Sequence, residues 1–174
     1  MTFEEVYDTL PGGWLTKEEA LLLYESARHA EGAILEVGEY RGRSTVLLAS
    51  FGRPLLCVDP FGGFDSDMSG DEVQRIFLQN MKERDIWNFV LYRQKIEDWL
   101  GDMRCRVGFA YLDGDHTYKG TESQIEVALA CGAEIICIHD YADSGDGLEV
   151  KRAVDASTLK VVNRIDRLVR CAVE

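Results

Sequence analysis

The stretch Ile34-Leu35-Glu36-Val37-Gly38-Glu39-Tyr40-Arg41-Gly42-Arg43-Ser44-Thr45 decides how this chain folds. It reads as a short apolar strand, a glycine-punctuated turn and a helix opening at Ser44 or Thr45. Strand, tight glycine loop and helix start together make a ligand site at the carboxyl edge of a parallel sheet. Gly38 and Gly42 permit backbone angles and close approach that a side chain forbids. A pyrophosphate wants bare amides without a nearby carboxylate, whereas this loop carries Glu36 and Glu39. Those acids suit a cationic ligand, such as one bearing an ammonium and a sulfonium. A plain strand-to-helix connector fits the same letters, and Arg41 and Arg43 keep a phosphate ligand open.

Working outward, the flanking segments repeat the pattern. Thr16-Lys17-Glu18-Glu19 is a capping box for a helix reaching about Ala30, with Ala20, Leu21, Leu23, Tyr24 and Ala27 facing inward. Ala33–Val37 is the first strand and Leu55–Val58 the second; uninterrupted apolar runs of this kind mark strands covered on both faces. Phe61–Met68 reads as a flexible aromatic loop over the same sheet edge. Ser69-Gly70-Asp71-Glu72 caps a helix bearing Val73, Ile76, Phe77 and Met81. Asn88–Arg93 is a third strand and Ile96–Leu100 a short helix. Val107–Leu112 is a fourth strand, Thr121-Glu122-Ser123-Gln124 caps the next helix, and Glu134–Ile138 is a fifth strand. A helix over Leu148–Ala156 precedes an antiparallel pair, Leu159–Asn163 and Leu168–Val173. The sum is an α/β fold: a mostly parallel seven-stranded sheet with a closing hairpin and helices on both faces, in one domain spanning residues 1–174.

The bulk composition narrows the function. With 174 residues and 46% apolar content the chain can bury a full core. No apolar run approaches the ~20 residues that span a bilayer, so no membrane role is expected. A formal charge of −12 argues against nonspecific nucleic-acid binding, which needs clustered Lys and Arg, though it leaves local basic patches open. Five cysteines without a CxxC pair read as buried reduced thiols and a cytoplasmic location. Oligomeric state leaves no mark on the sequence.

The strands end in chemistry. Glu36, Asp59, Asp113 and the pair His139-Asp140 fall at or near four strand ends, which converge on one crevice in an open parallel sheet. Asp59 lies where such folds place a carboxylate on ribose hydroxyls. Asp113, His139 and Asp140 end adjacent strands and could face one divalent cation, Mg²⁺ by their carboxylates or Mn²⁺ by the imidazole; the same placement fits His139 and Asp140 that only hydrogen-bond loop backbone. His116, three residues past Asp113, is a candidate general base. His29 reads as an ordinary exposed residue.

Glu36–Thr45, Val58-Asp59, Leu112-Asp113-Gly114-Asp115-His116-Thr117-Tyr118-Lys119-Gly120 and Ile138-His139-Asp140-Tyr141 together resemble class I S-adenosylmethionine-dependent methyltransferases. More narrowly they are similar to methyltransferase type 24, which includes metal-dependent O-methyltransferases of macrolide sugars. The resemblance implies a Rossmann-like fold and S-adenosylmethionine as cofactor, with Glu36, Gly38, Gly42 and Ser44 around its methionine end. It further implies Asp59 on the ribose, Ile96 near the adenine, Asp113, His139 and Asp140 on Mg²⁺, and His116 as base beside Asp113. His139 departs from the pattern, since metal-dependent relatives commonly carry an acid there. The expected reaction is methyl transfer to a hydroxyl oxygen of a small-molecule acceptor. A metal-independent N-methyltransferase and a noncatalytic module of the same fold remain the alternatives.

Overall fold

The computed structural model describes residues 1–62, 67–99 and 106–173. At its centre is β1 (Ala33–Val37), buried along its whole length. It pairs in parallel with β2 (Leu55–Val58) on one side and β4 (Val107–Leu112) on the other. Beyond β2 comes β3 (Phe89–Tyr92), and beyond β4 comes β5 (Ile135–Ile138), both parallel. The sheet closes with β7 (Leu168–Val173) antiparallel to β5, and β6 (Leu159–Ile165) antiparallel to β7. The order β3-β2-β1-β4-β5-β7-β6 reverses direction between β1 and β4, and ligands of open α/β sheets bind at that reversal.

Alternation along the strands divides the core in two. One face carries Ile34, Leu55, Cys57, Phe109 and Tyr111. It packs under α1 (Phe3–Tyr7), α2 (Lys17–Ala27), α3 (Arg43–Ala49) and α4 (Gly70–Glu83). The other carries Leu35, Leu56, Ala110 and Ile136. It packs under the 3-10 turn Ile96–Asp98, α5 (Tyr118–Ala130) and α6 (Gly147–Ala156). The register sets Glu36 opposite both Cys57 and Tyr111, so this acid points into an apolar layer.

Several boundaries differ from the sequence reading, each for a local reason. Thr117, not Thr121, caps α5: its hydroxyl accepts the Gly120 amide at 3.0 Å, while Thr121 is buried inside the helix. In α2 Leu22 faces the core and Leu21 is 44% exposed, because the helix rotates to bury its capping acid Glu19. That helix also stops at Ala27. The N-terminal α1, with its own Thr2–Glu5 capping box, was not anticipated. The closing hairpin is tighter than expected, leaving only Asp166 and Arg167 between β6 and β7. Leu100, Cys105 and the middle of the Phe61–Met68 loop lie outside the described residues.

Candidate active site

Two clusters of ionisable side chains stand at the carboxyl edge of the sheet, on either side of the β1/β4 reversal. The glycine loop joins them. Gly38 has φ +88°, and a Cβ there would lie 2.2 Å from the Asp113 carbonyl oxygen. Only glycine lets β1 and β4 leave the sheet this close together. Gly42, also at φ +88°, opens α3, and a Cβ on it would meet Met81 Cε at 2.6 Å.

The first cluster is almost wholly acidic. Glu36 is fully buried and accepts the Ser44 hydroxyl at 2.5 Å. Cys57 Sγ lies 4.0 Å from its other oxygen. Glu39 is 2% exposed, and among the described residues neither of its oxygens has a hydrogen-bond partner. Burial pushes the Glu36 carboxyl up to about 8, against the lowering effect of the Ser44 hydroxyl. Burial, reinforced by the charge of Glu36, pushes Glu39 well above the ordinary range. Asp59, also raised by burial, acts as the clamp of this region. Its Oδ2 accepts the amides of Glu39 and Tyr40 at 2.9 and 3.0 Å, and Oδ1 accepts that of Phe61 at 2.6 Å. Tyr40 and Phe61 sit at φ 49° and 52°, conformations that cost about 1–3 kcal/mol each unless the surroundings enforce them. A carboxylate has about four acceptor positions, so Oδ1 retains one for a further donor. Ile96 is buried in the core layer that also holds Leu56, Val58 and Trp99.

The second cluster mixes signs. Asp113 Oδ1, His139 Nδ1, Asp140 Oδ2 and His116 Nε2 form a closed circuit. Successive separations are 3.5, 3.3 and 3.2 Å, and 3.6 Å back to Asp113. Three members are held from outside by their second polar atom. The Tyr111 hydroxyl donates to Asp113 Oδ2 at 3.0 Å, and Arg167 Nη2 meets Asp140 Oδ1 at 2.7 Å. His139 Nε2 faces Glu19 Oε1 across 3.4 Å, an ion-pair distance rather than an aligned hydrogen bond. Here burial loses to neighbours. The charges and hydrogen bonds of the facing imidazoles hold Asp113 below the usual carboxylate range despite its desolvation. Three carboxylates raise His139 to about 12 although burial opposes the charge, and His116 is raised by Asp113 and Asp140. Glu19 is lowered to about 2 by His139 and its Thr16 cap, again against burial.

Local sequence explains the placement. Asp140 sits at φ 61°, turning sharply off β5, and the following Tyr141 amide bonds the Arg167 carbonyl at 2.9 Å. Gln124 of α5 pins the loop between Asp113 and His116. Its Oε1 accepts the Gly114 amide at 3.0 Å and its Nε2 donates to the Asp115 carbonyl at 2.9 Å. Glu19, Arg167, Tyr111 and Gln124 were missed as site residues. Glu19 reads from sequence as a capping acid, which it is, with Oε2 on Thr16; only the fold brings Oε1 to His139.

Asp113, His139 and Asp140 bring one donor atom each within 4.8 Å of one another, as do Glu36, Glu39 and Cys57. The first set fits a cation: His139 offers Nδ1 inward while Nε2 faces a carboxylate, the arrangement that orients metal-binding imidazoles. The second set suits one less, because burial raises its thiol well above the ordinary range and Ser44 occupies Glu36. No helix among the described residues is long and apolar enough to cross a membrane.

Solved structures share this architecture. The O-methyltransferase NovP superposes with TM-score 0.69 at 15% identity, over 99% of this chain and 88% of that one. The O-methyltransferase TomG from Streptomyces achromogenes, solved with S-adenosylmethionine, gives 0.66 at 12%, over 99% and 89%. CalS11, a TDP-rhamnose 3'-O-methyltransferase of calicheamicin biosynthesis, gives 0.64 at 12%, over 98% and 91%. No curated protein matches the sequence. The family described as "Methyltransferase domain" (Methyltransf_24) matches residues 35–141, the span from the buried heart of β1 through both acidic clusters to the turn after Asp140. On that match, the chain belongs to the methyltransferase-domain family.

Proposed function

We propose that the chain, acting as one catalytic domain, transfers a methyl group from S-adenosylmethionine to a hydroxyl oxygen of a small acceptor. The observation that carries this reading is the pair Glu36 and Glu39: two buried acids at the sheet reversal with no basic side chain hydrogen-bonded to them among the described residues. A ligand bearing an ammonium and a sulfonium supplies the missing charge. The O-methyltransferases NovP, TomG and CalS11 support the fold and the oxygen acceptor by analogy. The net charge of −12 favours a small molecule over nucleic acid, and the buried free thiols Cys57, Cys137 and Cys171 suit a reducing cytoplasm.

In this reading Glu36, Gly38, Gly42 and Ser44 surround the methionine end. Asp59 offers its remaining acceptor position to a ribose hydroxyl, and Ile96 lies toward the adenine. The acceptor oxygen attacks the methyl carbon in line; the O–CH₃ bond forms as the S–CH₃ bond breaks. His116 takes the hydroxyl proton, and Asp113 orients the imidazole and favours the imidazolium that results. Asp113, His139 and Asp140 would hold a divalent cation, Mg²⁺ or Mn²⁺, whose chemistry there is to lower the acceptor pKa.

Calorimetric titration with S-adenosylmethionine, followed by an acceptor screen, tests the reading. His116→Ala should lower kcat about 100-fold or more while leaving cofactor affinity within a factor of about two. Equal loss of both removes His116 from the proton transfer. Absence of cofactor binding removes the methyltransferase reading itself.

A further inference from the structure

We infer that Trp14 is the ring-binding wall of the acceptor site, and that the hydroxyl accepted there sits on a planar aromatic ring. The inference rests on the methyl-transfer reading and names its acceptor class.

The placement of Trp14 is the first argument. Its indole stacks on the Tyr40 ring, with centroids 5.0 Å and planes 26° apart. Tyr40 belongs to the glycine loop, and its amide is held by Asp59 at 3.0 Å. Two residues past Trp14, Thr16 caps α2 and its amide donates to Glu19 Oε2 at 3.0 Å, while Glu19 Oε1 faces His139. The segment carrying Trp14 therefore runs along the carboxyl edge of the sheet from the first cluster to the second.

The bracing of that segment is the second argument. Arg43, at the start of α3, donates Nη1 to the Pro11 carbonyl at 2.7 Å and Nε to the Leu15 carbonyl at 2.9 Å, one on each side of Trp14. Gly13 lies so close to this side chain that a Cβ would meet Arg43 Cδ at 2.9 Å. Arg41 sets its guanidinium over the Tyr40 ring at 4.8 Å. Trp14 nevertheless stays 65% exposed. Fixing a large apolar ring while leaving it open to water costs conformational entropy with little burial in return. A ring bound against it supplies the burial. Trp87 makes the contrast: it is 68% exposed, bonds Asp85 Oδ1 two residues away, and stands just before β3, at the amino edge of the sheet.

Ring chemistry then selects the acceptor. The near-parallel pair of Trp14 and Tyr40 is a stack that a third flat ring extends, and aromatic rings favour such offset stacking. A phenol also ionises at ~10, which brings its proton within reach of an imidazole base such as His116.

The test uses the full chain saturated with S-adenosylhomocysteine and three probes: phenol, cyclohexanol and methyl α-D-glucopyranoside. The chain has three tryptophans, whose indole N–H signals report separately. Phenol should shift the Trp14 signal and leave that of the similarly open Trp87 unmoved. It should bind about 10-fold more tightly than cyclohexanol, which matches it in size and hydroxyl but not in planarity. Trp14→Ala should weaken phenol about 10-fold and S-adenosylhomocysteine by less than about two-fold, and Trp14→Phe should restore most of the phenol affinity. Equal shifts of Trp14 and Trp87, no shift at Trp14, or a preference for either non-aromatic probe overturns the proposal, and none of these readouts needs a variant to fold. A Trp14→Ala loss that falls on S-adenosylhomocysteine instead overturns it as well. Cofactor binding with Trp14 unmoved by phenol refutes only this inference; absence of cofactor binding removes the methyl-transfer reading and this one with it.

Discussion

The two clusters at the sheet edge contain the same functional group and treat it in opposite ways. Around Glu36 and Glu39, burial wins and the carboxyls are pushed up, to about 8 for Glu36. Around Asp113 and Glu19, burial is outweighed and the carboxyls are pulled down, to about 2 for Glu19. Exposure alone does not separate Glu19 from Glu39, each 2% exposed, although Glu39 is the more deeply surrounded by protein. What differs is the company. His139, His116 and Arg167 face the second set, whereas among the described residues the first has hydroxyl, thiol and amide neighbours and the added negative charge of Asp59. One region carries its own counter-charge; among the described residues the other is hydrogen-bonded to none. In a buried group the balance of desolvation and neighbours decides the sign of the shift.

That contrast can be broken at its hinge. Gly38→Ala adds a Cβ 2.2 Å from the Asp113 carbonyl at a left-handed φ, so it should destabilise by about 3 kcal/mol or more and weaken both cofactor and ion binding. Urea unfolding measures it, and a variant of near-native stability would show that the clusters are not mechanically joined there.

One substitution in each region should have opposite consequences. His139→Ala leaves Asp113, Asp140 and Glu19 facing one another and should cost about 2–4 kcal/mol of stability. Glu39→Gln replaces a carboxyl that burial keeps protonated by a neutral amide of the same shape; the free protein should be unchanged or more stable by up to about 1 kcal/mol, while cofactor affinity falls. Destabilisation of similar size in both would erase the distinction.

The smallest effect is in protons. The folded Glu36 carboxyl titrates near 8 against an ordinary 4.5, so the free protein should lose stability as pH rises from about 5 through 8. Glu19 works the other way: its contribution is complete above 4.5 and disappears as pH falls toward about 2. A cationic ligand beside Glu36 should expel its proton. Calorimetry at neutral pH in buffers of different ionisation enthalpy should therefore show up to one proton released per cofactor bound. No buffer dependence would mean that Glu36 is already ionised in the free protein.

Much of the scaffold was legible because it rests on local pattern. The apolar runs of β1, β2, β4 and β5, the glycines at 38 and 42, and the capping boxes at Thr16 and Ser69 announce themselves within a few residues. Asp113, His139 and Asp140 were legible for a related reason: strand ends of a parallel sheet converge whatever lies between them. The supports were not. Glu19 reaches His139 from the far end of the sequence, and Arg167 reaches Asp140 from a hairpin turn. Neither has a local signature. The Thr117 cap was misread because Thr121-Glu122-Ser123-Gln124 imitates one, and the choice depends on which hydroxyl reaches a free amide.

One bond has a consequence for how the molecule is made. Glu19 Oε1 accepts the amide of Arg167 at 3.2 Å, across 148 positions of sequence, and the same two residues brace His139 and Asp140. Closing so long a loop is slow compared with forming the helices and adjacent strands. During synthesis the glycine loop and its acids can be in place long before the hairpin leaves the ribosome. The brace on Asp140, by contrast, forms only once the Arg167 turn of the hairpin is in place. The first cluster can therefore be in place while Asp140 of the second is still without its Arg167 brace.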